Sequence, residues 1–189
     1  MMIQHSDTPA PQSSSQLNWP NRITLIRIFL VPILLVFLMS PQGWYPVMAA
    51  TIFLIAAFTD WLDGHLARTT NQITRLGQLL DPIADKLLVT AALVSLVGRQ
   101  QVPAWVAVVI LCRELAITGL RALAADRRII IAADASGKYK MVCFIVGALC
   151  LMLNLPFLSL PGTIILYAGM LLSVVSGIDY FRKYVTKIL

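Results

Sequence analysis

Four of the chain's nine acidic residues, Asp60, Asp63, Asp81 and Asp85, fall between positions 60 and 85. Asp60 and Asp63 stand at i, i+3 and Asp81 and Asp85 at i, i+4, spacings that put each pair on one face of a helix. Carboxylates gathered in an apolar setting repel one another, so either some keep their protons or a cation neutralises them. A donor set of oxygens, without His or Cys, favours a hard divalent ion: magnesium, manganese or calcium. Four carboxylates from two helices suit a pair of ions clamping the oxygens of an in-line displacement at phosphorus. The competing reading is a set of interfacial carboxylates capped by Arg68, Arg75 and Lys86. Two in-phase pairs with glycines and an arginine between them argue against it.

The elements that must position these groups follow from composition. Of 189 residues, 58% are hydrophobic and only 13% charged, against about 25% charged in a soluble domain. Too few polar groups remain to coat a water-facing surface, and the expectation is an all-α integral membrane protein. Residues 1–19, with Pro9, Pro11 and Ser13-Ser14-Ser15, read as a disordered polar tail, and 20–189 as one catalytic membrane domain. The first apolar run starts too far from the N-terminus and lacks a small-residue cleavage site, so it reads as a retained span. Six stretches are long enough to cross a bilayer: 22–40, 44–63, 79–98, 103–124, 138–155 and 161–181, with Pro32 expected to kink the first. The segment His65–Arg75 reads as the second connection.

An even number of spans puts both termini on one side. Of the 15 Lys and Arg residues, all but Arg99 fall on that side or in adjacent helix ends, which makes it cytoplasmic. The net charge of +6 then faces anionic headgroups, not nucleic acid. On this topology both acidic pairs sit just inside the cytoplasmic boundary, Asp60 and Asp63 at the end of one span and Asp81 and Asp85 at the start of the next.

Basic residues add a second constellation. Arg113 and Arg121 lie about 12 Å apart along one helix, so Arg113 reaches deep, and charges at that depth imply a hydrated cavity open to the cytosol. Glu114 and Arg121, seven residues apart, share a face and could pair. Lys138 and Lys140 open the fifth span on the same side. Asn21, Thr24 and Arg27 form one stripe at successive i+3 steps. The three cysteines, Cys112, Cys143 and Cys150, show no paired spacing and read as small apolar packers. Gly169, Ser173 and Gly177 form a small-residue stripe on the last span, for which packing within the chain is preferred.

The run Asp60-x2-Asp63-Gly64-x2-Ala67-Arg68-x8-Gly77-x3-Asp81-x3-Asp85 fills every fixed position of the signature of the CDP-alcohol phosphotransferase family, and the chain resembles that family from about Asn21 to Lys140. The resemblance implies the family's six-helix fold, a homodimer, and a site holding two magnesium or manganese ions. It implies Asp60, Asp63, Asp81 and Asp85 as metal ligands, with Asp85 also the general base. Gly64, Ala67, Arg68, Thr74 and Gly77 would meet the CDP-lipid, as would Asn21, Thr24 and Arg27. The stripe at Asn21, the run Arg113–Arg121 and Gly-Lys-x-Lys at 137–140 resemble the phosphatidylglycerophosphate synthase branch, with Met141 departing from its common Thr. Arg113, Arg121, Lys138 and Lys140 would then bind an anionic acceptor. Glycerol 3-phosphate fits such a pocket, with CDP-diacylglycerol as donor at the cytoplasmic face of the inner or plasma membrane. Phosphatidylglycerol or inositol phosphate as acceptor, and cation-coupled transport, are the alternatives.

Overall fold

The computed structural model of the chain describes residues 19–40, 42–70, 75–126 and 136–188, with side chains described over 23–40, 42–59, 80, 82–124 and 139–184. Six helices account for nearly all of it: α1 (Trp19–Met39), α2 (Tyr45–Thr70), α3 (Arg75–Gly98), α4 (Ala104–Asp126), α5 (Ser136–Met152) and α6 (Pro156–Ile188). No strand occurs among the described residues. The tail to residue 18 and Thr74 lie outside them.

Two boundaries correct the sequence reading. The second connection begins later than His65, because α2 continues unbroken to Thr70; Gly64, Ala67 and Arg68 are therefore helical positions, not loop ones. The last helix starts at Pro156, where a proline in the first turn loses no intrahelical bond. Pro32 sits inside α1, which stays helical through it.

The turn after α3 closes with Gln100 N–H donating to the Val97 carbonyl (2.9 Å) and Gln101 N–H to the Leu96 carbonyl (3.0 Å). This double bond pattern requires a left-handed residue after the helix, and Gln100 takes it at φ 57. Asn154 does the same after α5 at φ 55. Asparagine is suited to that conformation because its short polar side chain can bond locally.

The core draws on all six helices: Leu34 and Leu38 of α1, Phe53 and Ala56 of α2, Leu88, Leu93 and Leu96 of α3, Val106 of α4, Leu151 of α5 and Leu166 of α6. The most extensive packing joins α5 to α6, followed by α1 to α3 and α1 to α2. Glycine permits the first of these. A Cβ at Gly162 would lie 2.8 Å from the Cys150 Cβ, and one at Gly147 would lie 2.9 Å from the Leu166 nitrogen. The stripe at 169, 173 and 177 is used inside the chain, as expected: Gly169 abuts Cys143, and Gly177 abuts the Arg113 side chain. Cys143 and Cys150 are packers in these seams. All three thiols are free.

The outer faces of the helices carry large apolar side chains, among them Phe29, Leu54, Val94, Val108, Val142 and Leu160, all exposed. Among the described residues one helical stretch, Pro156–Tyr184, is long and apolar enough by itself to cross a membrane; Ile23–Met39, Tyr45–Thr59 and Tyr139–Met152 are apolar but shorter.

Candidate active site

The acidic motif straddles two helices that touch. Asp60 and Asp63 lie on α2 and Asp81 and Asp85 on α3, and α2 and α3 pack against each other. Of the four side chains only Asp85 is described. Its i+3 and i+4 neighbours, Leu88 and Val89, are buried in the core, so the helix cannot rotate that face away without exposing them. The side chains of Asp60, Asp63 and Asp81, like those of Asn21, Gly64, Ala67, Arg68, Gly77 and Lys138, lie outside the described residues.

Around Asp85 the bundle opens two adjoining cavities. One is lined by Asp85, Lys86, Glu114, Lys140, Met141 and Ser173, with apolar walls from α3 to α6. The other, smaller, is lined by Arg27, Phe53, Asp85 and Phe144 among others. Asp85 is common to both, so one carboxylate faces the α1 side and the α4–α6 side of the bundle. Arg27 and Thr24 are each only 1% exposed, and α1 thus delivers two of its three stripe residues into the interior.

The larger cavity is bordered by a charge network spanning three helices. Lys86 Nζ donates to Asp85 Oδ2 at 2.6 Å and to Glu114 Oε2 at 3.1 Å. Glu114 Oε1 also accepts from Arg113 Nη1 at 2.9 Å and from Lys140 Nζ at 2.6 Å. Arg113 is fixed further by α6: its Nε donates to the Ser173 carbonyl and its Nη2 to Ser176 Oγ, both at 2.7 Å. These side chains are roughly a fifth exposed or less. Three cations against two carboxylates leave the cluster one positive charge in excess, a setting that attracts an anion.

The expected pair of Glu114 with Arg121 does not form. Glu114 is taken up by three nearer cations, while Arg121 Nε donates to the Tyr180 hydroxyl at 3.3 Å and its guanidinium lies 5.4 Å from that ring's centre. Neither arginine lines the two cavities; Arg113 reaches the larger one through its bond to Glu114 and itself faces a separate pocket between α4 and α6. The structure therefore brings Arg113, Lys140 and Asp85 into one neighbourhood and holds Arg121 apart, against the small cluster of Ile117, Leu120, Ala124 and Tyr180.

Lys86 was foreseen only as a cap for the carboxylates, and the structure makes it a central member of the site. Its sequence signal is a lone cation inside the apolar run from Leu79 to Val97. Ser173 and Ser176 carry no such signal, because the guanidinium they hold comes from a helix some sixty residues earlier in the chain.

The chain is similar in sequence to known proteins along most of its length. The CDP-alcohol phosphatidyltransferase family profile matches residues 17–175. A Bacillus subtilis protein named CDP-diacylglycerol--glycerol-3-phosphate 3-phosphatidyltransferase is 43% identical, covering 88% of this chain and 94% of its own length. A Salmonella choleraesuis protein of the same name is 39% identical, over 86% and 88%. A Mycobacterium tuberculosis protein named probable phosphatidylglycerophosphate synthase is also 39% identical, over 88% and 81%.

Proposed function

The chain belongs to the CDP-alcohol phosphatidyltransferase family, and on that premise we propose that it transfers a phosphatidyl group from CDP-diacylglycerol to glycerol 3-phosphate, releasing CMP and forming phosphatidylglycerophosphate for phospholipid synthesis. Relatives that carry the name of this activity and match along most of both chains support the reaction. The observation that carries the acceptor is the gathering of Lys86, Arg113 and Lys140 beside Asp85. An acceptor with a phosphate of its own matches that excess of positive charge, whereas a neutral alcohol or a zwitterion gains little from it.

The reaction assigns each group a task. Lys140 and Arg113, with Lys138, hold the acceptor phosphate, and the guanidinium fork presents two donors to its oxygens. Arg121 would act from the rim. Asp85 takes the proton from the 1-hydroxyl as that oxygen bonds to the lipid-side phosphorus; the bond from that phosphorus to the CMP oxygen breaks, and CMP departs. Arg68 meets the charge that develops on the leaving group, while Asn21, Thr24, Arg27, Gly64, Ala67, Thr74 and Gly77 contribute to the nucleotide pocket. The oxygen-only character of Asp60, Asp63, Asp81 and Asp85, and their position on two touching helices, fit a hard divalent ion. Magnesium or manganese held there would neutralise the diphosphate and favour displacement at phosphorus.

The same reading places six spans in the inner or plasma membrane, with residues 1–19 as a polar tail, 20–189 as the catalytic domain, both termini and the site cytoplasmic, and a homodimer as the assembled form. The exposed apolar side chains on the helices and the Lys/Arg asymmetry support the bilayer and the orientation.

Purified protein in detergent, supplied with labelled CDP-diacylglycerol, tests the proposal. CMP release that requires both glycerol 3-phosphate and a divalent ion is the expected result. Release driven by phosphatidylglycerol or inositol phosphate instead would reassign the acceptor. No release with any alcohol would overturn the reaction.

A further inference from the structure

Glu114 has no assigned part in the transfer, yet it is bonded by three cations. One carboxylate on α4 receives cations from α3 (Lys86, 3.1 Å), α5 (Lys140, 2.6 Å) and its own helix (Arg113, 2.9 Å). The three cations depend on it unequally. Arg113 has two further anchors on α6, at Ser173 and Ser176, and keeps its place without Glu114. Among the described residues, Glu114 is the one hydrogen-bond partner of the Lys140 ammonium. Lysine carries a flexible four-carbon stem, and holding its head at one point costs side-chain entropy. The carboxylate that receives the head lowers that cost before any ligand arrives.

We propose that Glu114 is a positioning residue for acceptor binding: it fixes Lys140 and Lys86 on the wall of the larger cavity, so that the acceptor's phosphate meets donors already in place. The inference rests on the acceptor assignment above. A carboxylate inside an anion pocket weakens the pull on the anion, and that loss is outweighed only if preorganisation matters more. The alternative is therefore concrete: a Glu114 that merely occupied the pocket as a stand-in for phosphate would weaken binding, and its removal would tighten it.

The test is steady-state kinetics in detergent on the full chain, varying glycerol 3-phosphate and CDP-diacylglycerol separately. Glu114→Gln keeps the shape and removes the charge. It should raise KM for glycerol 3-phosphate about tenfold, the scale of one lost charge-assisted hydrogen bond, and leave KM for CDP-diacylglycerol within twofold. Glu114→Asp keeps the charge on a shorter stem and should recover part of that loss. It also carries the test if the Gln variant does not fold. In a Lys140→Ala background Glu114→Gln should add much less than tenfold, because the group it positions is gone. An acceptor KM that is unchanged or lowered in both Glu114 variants overturns the proposal, as does equal damage to both substrates' KM. If the unmodified protein shows no dependence on glycerol 3-phosphate, it is the acceptor assignment that fails.

Discussion

The two ends of the helix bundle hold their polar groups in different ways. Where α3 turns into α4 and α5 into α6, polar side chains close off helix ends. Gln101 Nε2 donates to Asn154 Oδ1 at 2.8 Å, linking the two turns, and Arg99 leans on the Met152 carbonyl at 3.5 Å. Burial pulls the Arg99 guanidinium below its ordinary pKa, though not enough to discharge an arginine. Toward the other end the polar groups of α3, α4, α5 and α6 bond one another across the bundle interior, around a cavity. Capping satisfies orphan backbone groups and can be done singly at the surface. A network of charges around a cavity does nothing for a helix end and raises the folding cost of the groups it buries, which supports the proposal of a binding site there and not at the turns.

The sharpest break in that contrast comes at Asp85. Asp85→Asn should lower turnover by about a thousandfold, within the range of a lost general base, while the protein still binds CDP-diacylglycerol; CMP release together with a nucleotide-binding titration measures both. Near-normal turnover would remove Asp85 from the base role. A smaller effect is expected at Arg113. Arg113→Lys keeps the charge but cannot donate to Ser173, Ser176 and Glu114 at once, and should cost about 30-fold in kcat/KM for glycerol 3-phosphate, the equivalent of one charged hydrogen bond of about 2 kcal/mol. Full activity in this variant would mean that charge alone, not the fork, serves the acceptor. The smallest effect belongs to the turns. Gln101→Ala should lower stability by about 0.5–1.5 kcal/mol and leave kcat/KM within twofold, read by thermal unfolding and by the same assay. A large kinetic loss there would show that the two ends are coupled and that the contrast is false.

Much of this was legible in one dimension because the relevant spacings are local. Asp60 with Asp63, and Asp81 with Asp85, are bound to share helix faces wherever those segments are helical, and α2 and α3 are helical there. The same holds for Thr24 and Arg27, both buried as the stripe implied. The pairing of Glu114 with Arg121 was inferred by the same local logic and failed, since a side chain's partner is decided by whichever opposite charge lies nearest in space. For Glu114 these are Lys86 and Lys140, from two other helices. The polar stretch His65–Arg75 reads as a connection in sequence, whereas helical hydrogen bonding continues to Thr70 regardless of side-chain polarity.

By itself the amino-acid order determined the helical character of the chain and, among the described residues, its six helices, because composition and i, i+3 or i, i+4 spacing act within a single helix. The tertiary structure alone decided that Lys86 belongs to the site, that Glu114 collects three cations, and that Arg121 turns to Tyr180 instead. Those outcomes depend on how closely α3, α4, α5 and α6 approach one another. That approach is set in part by the room glycine leaves at 147, 162, 169 and 177.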